Sequence, residues 1–277
     1  MADNRKCRVS LLQTDVAAGE PERNYAHVKA MLAKAAGARE KPDLVVLPEM
    51  WNTGYALDRI GELADPDGER TRQLFGSFCR EHGMMAVAGS VAERSADGVR
   101  NTSYVFGRDG SVVSRYSKIH LFGLMGEDQA LVGGKDICSL VLEGIPAGVM
   151  ICYDIRFPEL ARSLAISGVK LLIVPAQWPE ARIGHWRTLL TARAIENQLY
   201  VIGCNRAGRS GGADQRGGGA AEFNGHSLVI DPWGNILAEA GEEEEILTAG
   251  ISLDVVEEVR ARIPVFRDRR PELYKQD

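Results

Sequence analysis

The sequence predicts a single α/β domain, a layered sandwich with two mixed sheets inside and helices outside. Three observations carry that expectation. Strand-like and helix-like patterns alternate along the chain, two hairpin signals interrupt the alternation so that the sheets cannot be purely parallel, and neither a linker nor an internal repeat divides the 277 residues.

Residues 8–13 and 43–47 read as strands, with an amphipathic stretch over residues 23–36 between them, which makes a β-α-β unit. The turn-like ADPDGE introduces a second helix over residues 69–82, and it leads into the apolar run 84–91. SYVFGRDGSVVSRYSK sets two β-type segments around Arg108, Asp109 and Gly110, a hairpin. After a long loop, GVMICYDIRFPEL reads as a short buried strand over residues 148–151 that ends on Cys152. Pro158 and Glu159 there form the first turn of a helix reaching about residue 167. A strand at 170–175, a helix at 185–198 and a strand at 199–204 repeat the pattern. SGGADQRGGGAAEF is expected to be a mobile loop, and it contains neither GxGxxG nor GxxxxGK[ST], the two phosphate-cradling patterns. HSLVIDPWGNILAEAG supplies the second hairpin, and the polar, proline-broken residues 265–277 read as an arm lying over a neighbour.

Composition narrows the function classes. The chain is 45% hydrophobic and 26% charged with a formal charge of −5, and its basic residues are spread out, so no nucleic-acid partner is expected. The cysteines at 7, 79, 138, 152 and 204 are odd in number and form no CxxC pair, which points to a reducing, cytoplasmic compartment rather than a disulfide framework. No apolar run reaches membrane-spanning length, so no membrane association is expected. Five histidines show neither HExxH nor clustering with cysteine, and no metal or other cofactor is expected.

Three strand ends carry reactive groups. Cys152 sits at a strand-to-helix corner, where free N–H groups and the helix dipole favour an anion and should help the thiol ionise; the same corner also suits an inert buried cysteine. Glu49 follows a buried strand and a proline in DLVVLPEMW, and Lys118 follows the second arm of a hairpin in SRYSKIHLF. Singly, they fit a solvated loop glutamate and a lysine capping a sheet edge. Together, they fit acyl transfer: a thiol nucleophile, a carboxylate to take its proton, and a cation to hold the oxyanion with the backbone N–H of Tyr153. Such groups would titrate as a set.

The stretches LPEM, YSKIHLF and ICYDIRFPE resemble the glutamate, lysine and cysteine motifs of the carbon–nitrogen hydrolase (nitrilase) superfamily, in the same order. The resemblance extends through VSLLQTD, PAQWP, HWRTLLTARAIENQLYVIGCNR, GHSLVIDPWGNILAEAG and RIPVFRDRRPELY. It implies an α-β-β-α sandwich that forms a homodimer or higher homo-oligomer, with Glu49 as general base, Lys118 as oxyanion-stabilising cation and Cys152 as nucleophile. Glu127 matches a second glutamate often found after the lysine, although Asp128 is adjacent. KIHLF with GED, PAQWP, GHW and TARAIENQ look most like the omega-amidase branch, which removes ammonia from small carboxylate-bearing amides such as 2-oxoglutaramate. A substrate carboxylate calls for a forked cation: Arg182 is the preferred candidate, Arg156 is read as a core-pairing residue, and Trp178 as a wall for the acyl chain or a subunit contact. The alternatives are an N-carbamoyl-amine hydrolase or an aliphatic amidase or nitrilase with the same residues, a non-catalytic dimeric interaction protein, and a redox role for Cys152, which lacks a resolving cysteine nearby in sequence.

Overall fold

The computed structural model describes residues 6–210 and 221–274, so most of the glycine-rich stretch, residues 211–220, lies outside the described residues. In chain order the elements are β1 (Lys6–Gln13), α1 (Pro21–Ala36), β2 (Leu44–Val46), α2 (Ile60–Leu63), β3 (Asp65–Pro66), α3 (Glu69–His82), β4 (Met85–Val87), β5 (Val91–Ser95), β6 (Gly98–Phe106) and β7 (Val112–Ser117). The chain continues with α4 (Glu127–Ala130), β8 (Cys138–Leu142), β9 (Ile145–Val149), α5 (Pro158–Ile166), β10 (Leu171–Pro175), α6 (Ile183–Asn197), β11 (Tyr200–Cys204), β12 (Ala207–Ser210) and β13 (Ala221–Asn224). It closes with β14 (Leu228–Ile230), β15 (Ile236–Glu239), β16 (Glu245–Ser252), α7 (Leu253–Arg262) and α8 (Val265–Asp268).

Two mixed sheets form the interior. The first runs β16-β1-β2-β4-β6-β5-β3, with β7 on the other edge of β6, and the second runs β15-β14-β11-β10-β9-β8. Strands β1, β2 and β4 are mutually parallel, as are β9, β10 and β11, and antiparallel strands flank both sets. Strand alternation divides the apolar residues between two faces. Val9, Leu11, Val46 and Val87 of the first sheet share one core with Ala147, Val149, Leu171 and Ile173 of the second, and Leu160, Leu164, Trp186 and Leu190 of α5 and α6 extend that core outward. Leu12, Val45 and Phe106 face the other way, onto Tyr25, Val28 and Leu32 of α1 and Phe75 and Phe78 of α3. The layer order is therefore helix, sheet, sheet, helix.

Four expectations change. The run 84–91 is two strands, because Gly89 turns the chain at φ +60°, and β4 and β5 pair with different halves of β6. The long loop before Cys152 contains β8, whose Ile137 and Val141 neighbourhood is exposed, so it lacks the buried pattern of a core strand. Strand β16 and helix α7 were not expected between the second hairpin and the C-terminal segment. Cys152 begins a short 3₁₀ turn, Cys152–Arg156, and α5 starts only at Pro158. The flanks of the glycine-rich stretch pair with each other as β12 and β13. Among the described residues, no helix is long and apolar enough to cross a membrane.

Candidate active site

Glu49, Lys118, Glu127 and Cys152 meet at one end of the sandwich. Glu49 lies just past β2, Lys118 follows β7, Glu127 opens α4, and Cys152 follows β9; all four are buried. Lys118 Nζ donates to Glu49 Oε1 at 2.8 Å and to Glu127 Oε1 at 2.7 Å. Asn101 Nδ2 also donates to Glu49 Oε1 at 2.8 Å, and the Gln177 N–H donates to Glu49 Oε2 at 2.8 Å. The carbonyl of that same Gln177 lies 3.9 Å from Cys152 Sγ. Tyr55 OH donates to Glu127 Oε1 at 2.7 Å, and the Phe122 N–H donates to Glu127 Oε2 at 3.0 Å. Both glutamates are thus fixed by hydrogen bonds on each oxygen.

Electrostatics set the resting proton positions. Burial pushes the Cys152 thiol well above its ordinary range, and the carboxyl groups of Glu49 and Glu127 push the same way; Lys118 opposes them without prevailing. This corrects the expectation that the corner favours a thiolate: the turn at Cys152 is a few residues of 3₁₀ helix, and desolvation outweighs its dipole. Burial works against the Lys118 ammonium, but Glu127 and Glu49 hold it charged. Burial, aided by Glu49, keeps the Glu127 carboxyl above the usual carboxylate range although Lys118 pulls it down. Cys152 has φ +45°, a left-handed conformation that a side chain adopts at a cost and that the surroundings must enforce. Asp154 does so: its carboxylate accepts from Ile151 N at 2.9 Å, Tyr116 OH at 2.6 Å, His120 N at 3.0 Å and His120 Nδ1 at 2.8 Å.

A narrow pocket opens over Cys152, lined by Tyr55, Phe122, Tyr153, Arg156, Trp178 and Arg182 among others. The Arg182 guanidinium lies 5.6 Å from the Phe122 ring centroid, and Arg156 lies 4.7 Å from that of Trp178. Neither is paired with a carboxylate among the described residues. Arg156 therefore does not pair within the core, as the sequence suggested; it is half-buried in the pocket wall, with Nη2 3.4 Å from His185 Nδ1. Trp178 is buried and lines the pocket, with Nε1 donating to the Arg182 carbonyl at 2.8 Å. Asp128 does not join the cluster: Glu127, not its neighbour, reaches Lys118. Sequence reasoning did not find Asn101, Tyr55, Gln177 or Asp154 as contributors, and the polar residue buried inside the β6 strand pattern was the one available signal for Asn101.

Chemically, a buried thiol, a hydrogen-bonded carboxylate and a fixed ammonium below a small pocket with two unpaired guanidiniums can attack an acyl carbon and hold a substrate carboxylate. The comparisons with known proteins agree in class. The carbon-nitrogen hydrolase family model matches residues 8–261. A 2-oxoglutaramate amidase of Bacillus subtilis is 43% identical over 97% of this chain and 100% of that protein, and an omega-amidase of Danio rerio is 34% identical over 97% and 96%. Among solved structures, a carbon-nitrogen hydrolase superfamily protein from Xanthomonas campestris with an arsenic adduct in its active site aligns with TM-score 0.86 and 31% identity, covering 96% of this chain and 97% of that one. An amidase from Nesterenkonia, with the acetamide moiety of fluoroacetamide added covalently at its active-site cysteine, aligns with TM-score 0.80 and 25% identity, covering 98% and 96%.

Proposed function

The chain belongs to the carbon–nitrogen hydrolase family, and from that premise we propose that it removes ammonia from the terminal amide of a short carboxylate-bearing substrate of the 2-oxoglutaramate type. Cys152 is the nucleophile. Glu49 takes the thiol proton as sulfur attacks the amide carbon, and Lys118, with the backbone N–H of Tyr153, holds the oxyanion. Collapse of the tetrahedral intermediate breaks the C–N bond, Glu49 returns the proton to nitrogen, and ammonia leaves a thioester. A water that Glu49 deprotonates then cleaves the thioester and frees the acid. Glu127 keeps Lys118 charged and in place.

The observation that supports the substrate class is the pair of guanidiniums, Arg156 and Arg182, in the wall of a pocket that has Cys152 at its floor. In this reading the two guanidiniums hold the terminal carboxylate, and Trp178 and Phe122, which they stack against, wall the short methylene chain. The test is ammonia release from 2-oxoglutaramate, glutaramate, an aliphatic amide and an N-carbamoyl amine, by wild type and Cys152→Ala. Turnover of the carboxylate-bearing amides, abolished in Cys152→Ala, is the expected result. Preference for the uncharged amide, or carbon dioxide produced with ammonia, would overturn the substrate assignment, and a fully active Cys152→Ala would overturn the nucleophile.

The same reading includes a homodimer or higher homo-oligomer in the cytoplasm, one hydrolase domain over residues 1–277, and a C-terminal arm, residues 265–277, at the subunit contact. Free, buried cysteines support the compartment, and exposed apolar side chains near the C-terminal segment support the contact.

A further inference from the structure

We propose that Asn101 is a positioning residue for Glu49: by occupying Oε1 it leaves Oε2 as the atom that takes the thiol proton. The inference rests on Glu49 acting as base and Cys152 as nucleophile. A carboxylate oxygen offers two in-plane lone pairs. On Oε1 both are engaged, by Lys118 Nζ and by Asn101 Nδ2, each at 2.8 Å. Oε2 accepts from the Gln177 N–H, the Gln177 carbonyl lies beside Cys152 Sγ, and the Cys152 thiol is itself within hydrogen-bonding reach of the Glu49 carboxylate. Gln177 thus spans from the open oxygen to the nucleophile.

The amide at position 101 is an expensive way to fill space. Asn101 is 1% exposed, and its Oδ1 has no hydrogen-bond partner among the described residues, an orphaned acceptor that a small apolar side chain would not create. What the amide supplies is its NH₂, aimed at Glu49. Its backbone carbonyl meanwhile accepts from the Lys118 N–H at 2.9 Å, so one residue of β6 fixes the base by its side chain and the cation by its main chain.

In the proposed step the S–H bond breaks, the proton forms an O–H bond at Oε2, and the electron pair left on sulfur attacks the amide carbon. When the C–N bond breaks, the proton passes from Oε2 to the departing nitrogen. With Asn101 removed, Oε1 gains a free lone pair, and the proton is no longer directed to Oε2 alone.

The test compares Asn101→Ala and Asn101→Leu with wild type and Glu49→Gln. One readout is kcat and KM on the amide that turns over; the other is the rate of Cys152 alkylation by iodoacetamide, corrected with Cys152→Ala, which needs no knowledge of the substrate. Asn101→Ala should lose about ten- to a hundredfold in kcat with KM within about threefold. Asn101→Leu keeps the shape, carries no charge and cannot donate at any pH, so its kcat and its alkylation rate should fall as far as those of Asn101→Ala. A space-filling role predicts an Asn101→Leu enzyme within threefold of wild type in both, and that result, or an Asn101→Ala enzyme within threefold of wild type, would overturn the proposal. Should Asn101→Ala fail to fold, the neutral, shape-matched Asn101→Leu carries the decision alone. Glu49→Gln separates the layers: wild-type alkylation and turnover there would remove Glu49 as base, whereas a dead Glu49→Gln beside unaffected Asn101 variants would remove the positioning role only.

Discussion

Cys152 stays protonated at rest because a thiolate would add a negative charge to a buried cluster that already sets two carboxyl groups against one ammonium. In the proposed mechanism, moving the proton onto Glu49 during attack leaves the total charge of the cluster unchanged, so that route avoids the state that burial forbids. The consequence is a pH dependence with a definite sign. A thiol held above its ordinary range ionises later, so alkylation of Cys152 should keep accelerating above about pH 8.5, the midpoint of an ordinary thiol. Iodoacetamide kinetics check this; a plateau at or below that pH would mean that Lys118 dominates. Glu127 gives a second prediction. Its Oε1 accepts from both Lys118 and Tyr55, so Glu127→Gln should cost about a hundredfold or more in kcat/KM, while Tyr55→Phe, which removes one neutral donor, should cost about 1 kcal/mol in stability, read by urea unfolding.

At the scale of elements, the 3₁₀ turn Cys152–Arg156 is held by the carboxylate of Asp154, which joins the end of β9 to Tyr116 in β7 and to His120 beyond it. Asp154→Ala orphans four donors at once. It should destabilise the protein by roughly 3 kcal/mol or more and lower kcat more than KM, measured by denaturant titration and steady-state kinetics. Gly89 is a second point of control: a Cβ there would lie 2.0 Å from the Pro48 carbonyl oxygen, so Gly89→Ala should displace the segment that carries Glu49 and cost activity as well as stability. Helix α3 was legible to its ends, since Gly68 and Gly83 flank it in left-handed conformations and its apolar residues keep helical spacing. Strands β8 and β16 were not, because sheet-edge strands with half-exposed faces lack a clear apolar alternation. Glu49, Lys118 and Cys152 were legible because each ends a recognisable element. Asn101, Tyr55 and Gln177 were not, because their contacts with the glutamates join positions 52, 72 and 128 residues apart and leave no local pattern.

For the whole molecule, the site belongs to neither sheet alone. Glu49, Lys118 and Asn101 come from the first sheet, Cys152 and Gln177 from the second, so the reacting groups approach each other only when the two sheets pack. The outer surface carries its own prediction. Ile195 at the end of α6 packs beside Gly234, Gln198 Nε2 donates to the Ile263 carbonyl at 2.7 Å, and Arg262 lies 5.6 Å from the Trp233 ring centroid, which gathers exposed Ile195 and Ile263 on one side of the molecule near α7. Light scattering after gel filtration should therefore report twice the chain mass or more, and paired Ile195→Lys and Ile263→Lys substitutions should shift it toward the monomer.

The place of β16 has a consequence for how the protein is made. The chain lays down β1 first, then most of the first sheet, then the entire second sheet, and only afterwards returns β16 to pair with β1 across eight residue pairs. While the ribosome is still translating the second sheet, β1 has β2 on one edge and nothing on the other. That bare edge is a template for any other extended chain until residue 252 has emerged. Nascent or prematurely terminated chains will thus carry an adhesive strand even though every residue of the site has been made, and the cell's need for chaperone protection should end at the synthesis of β16.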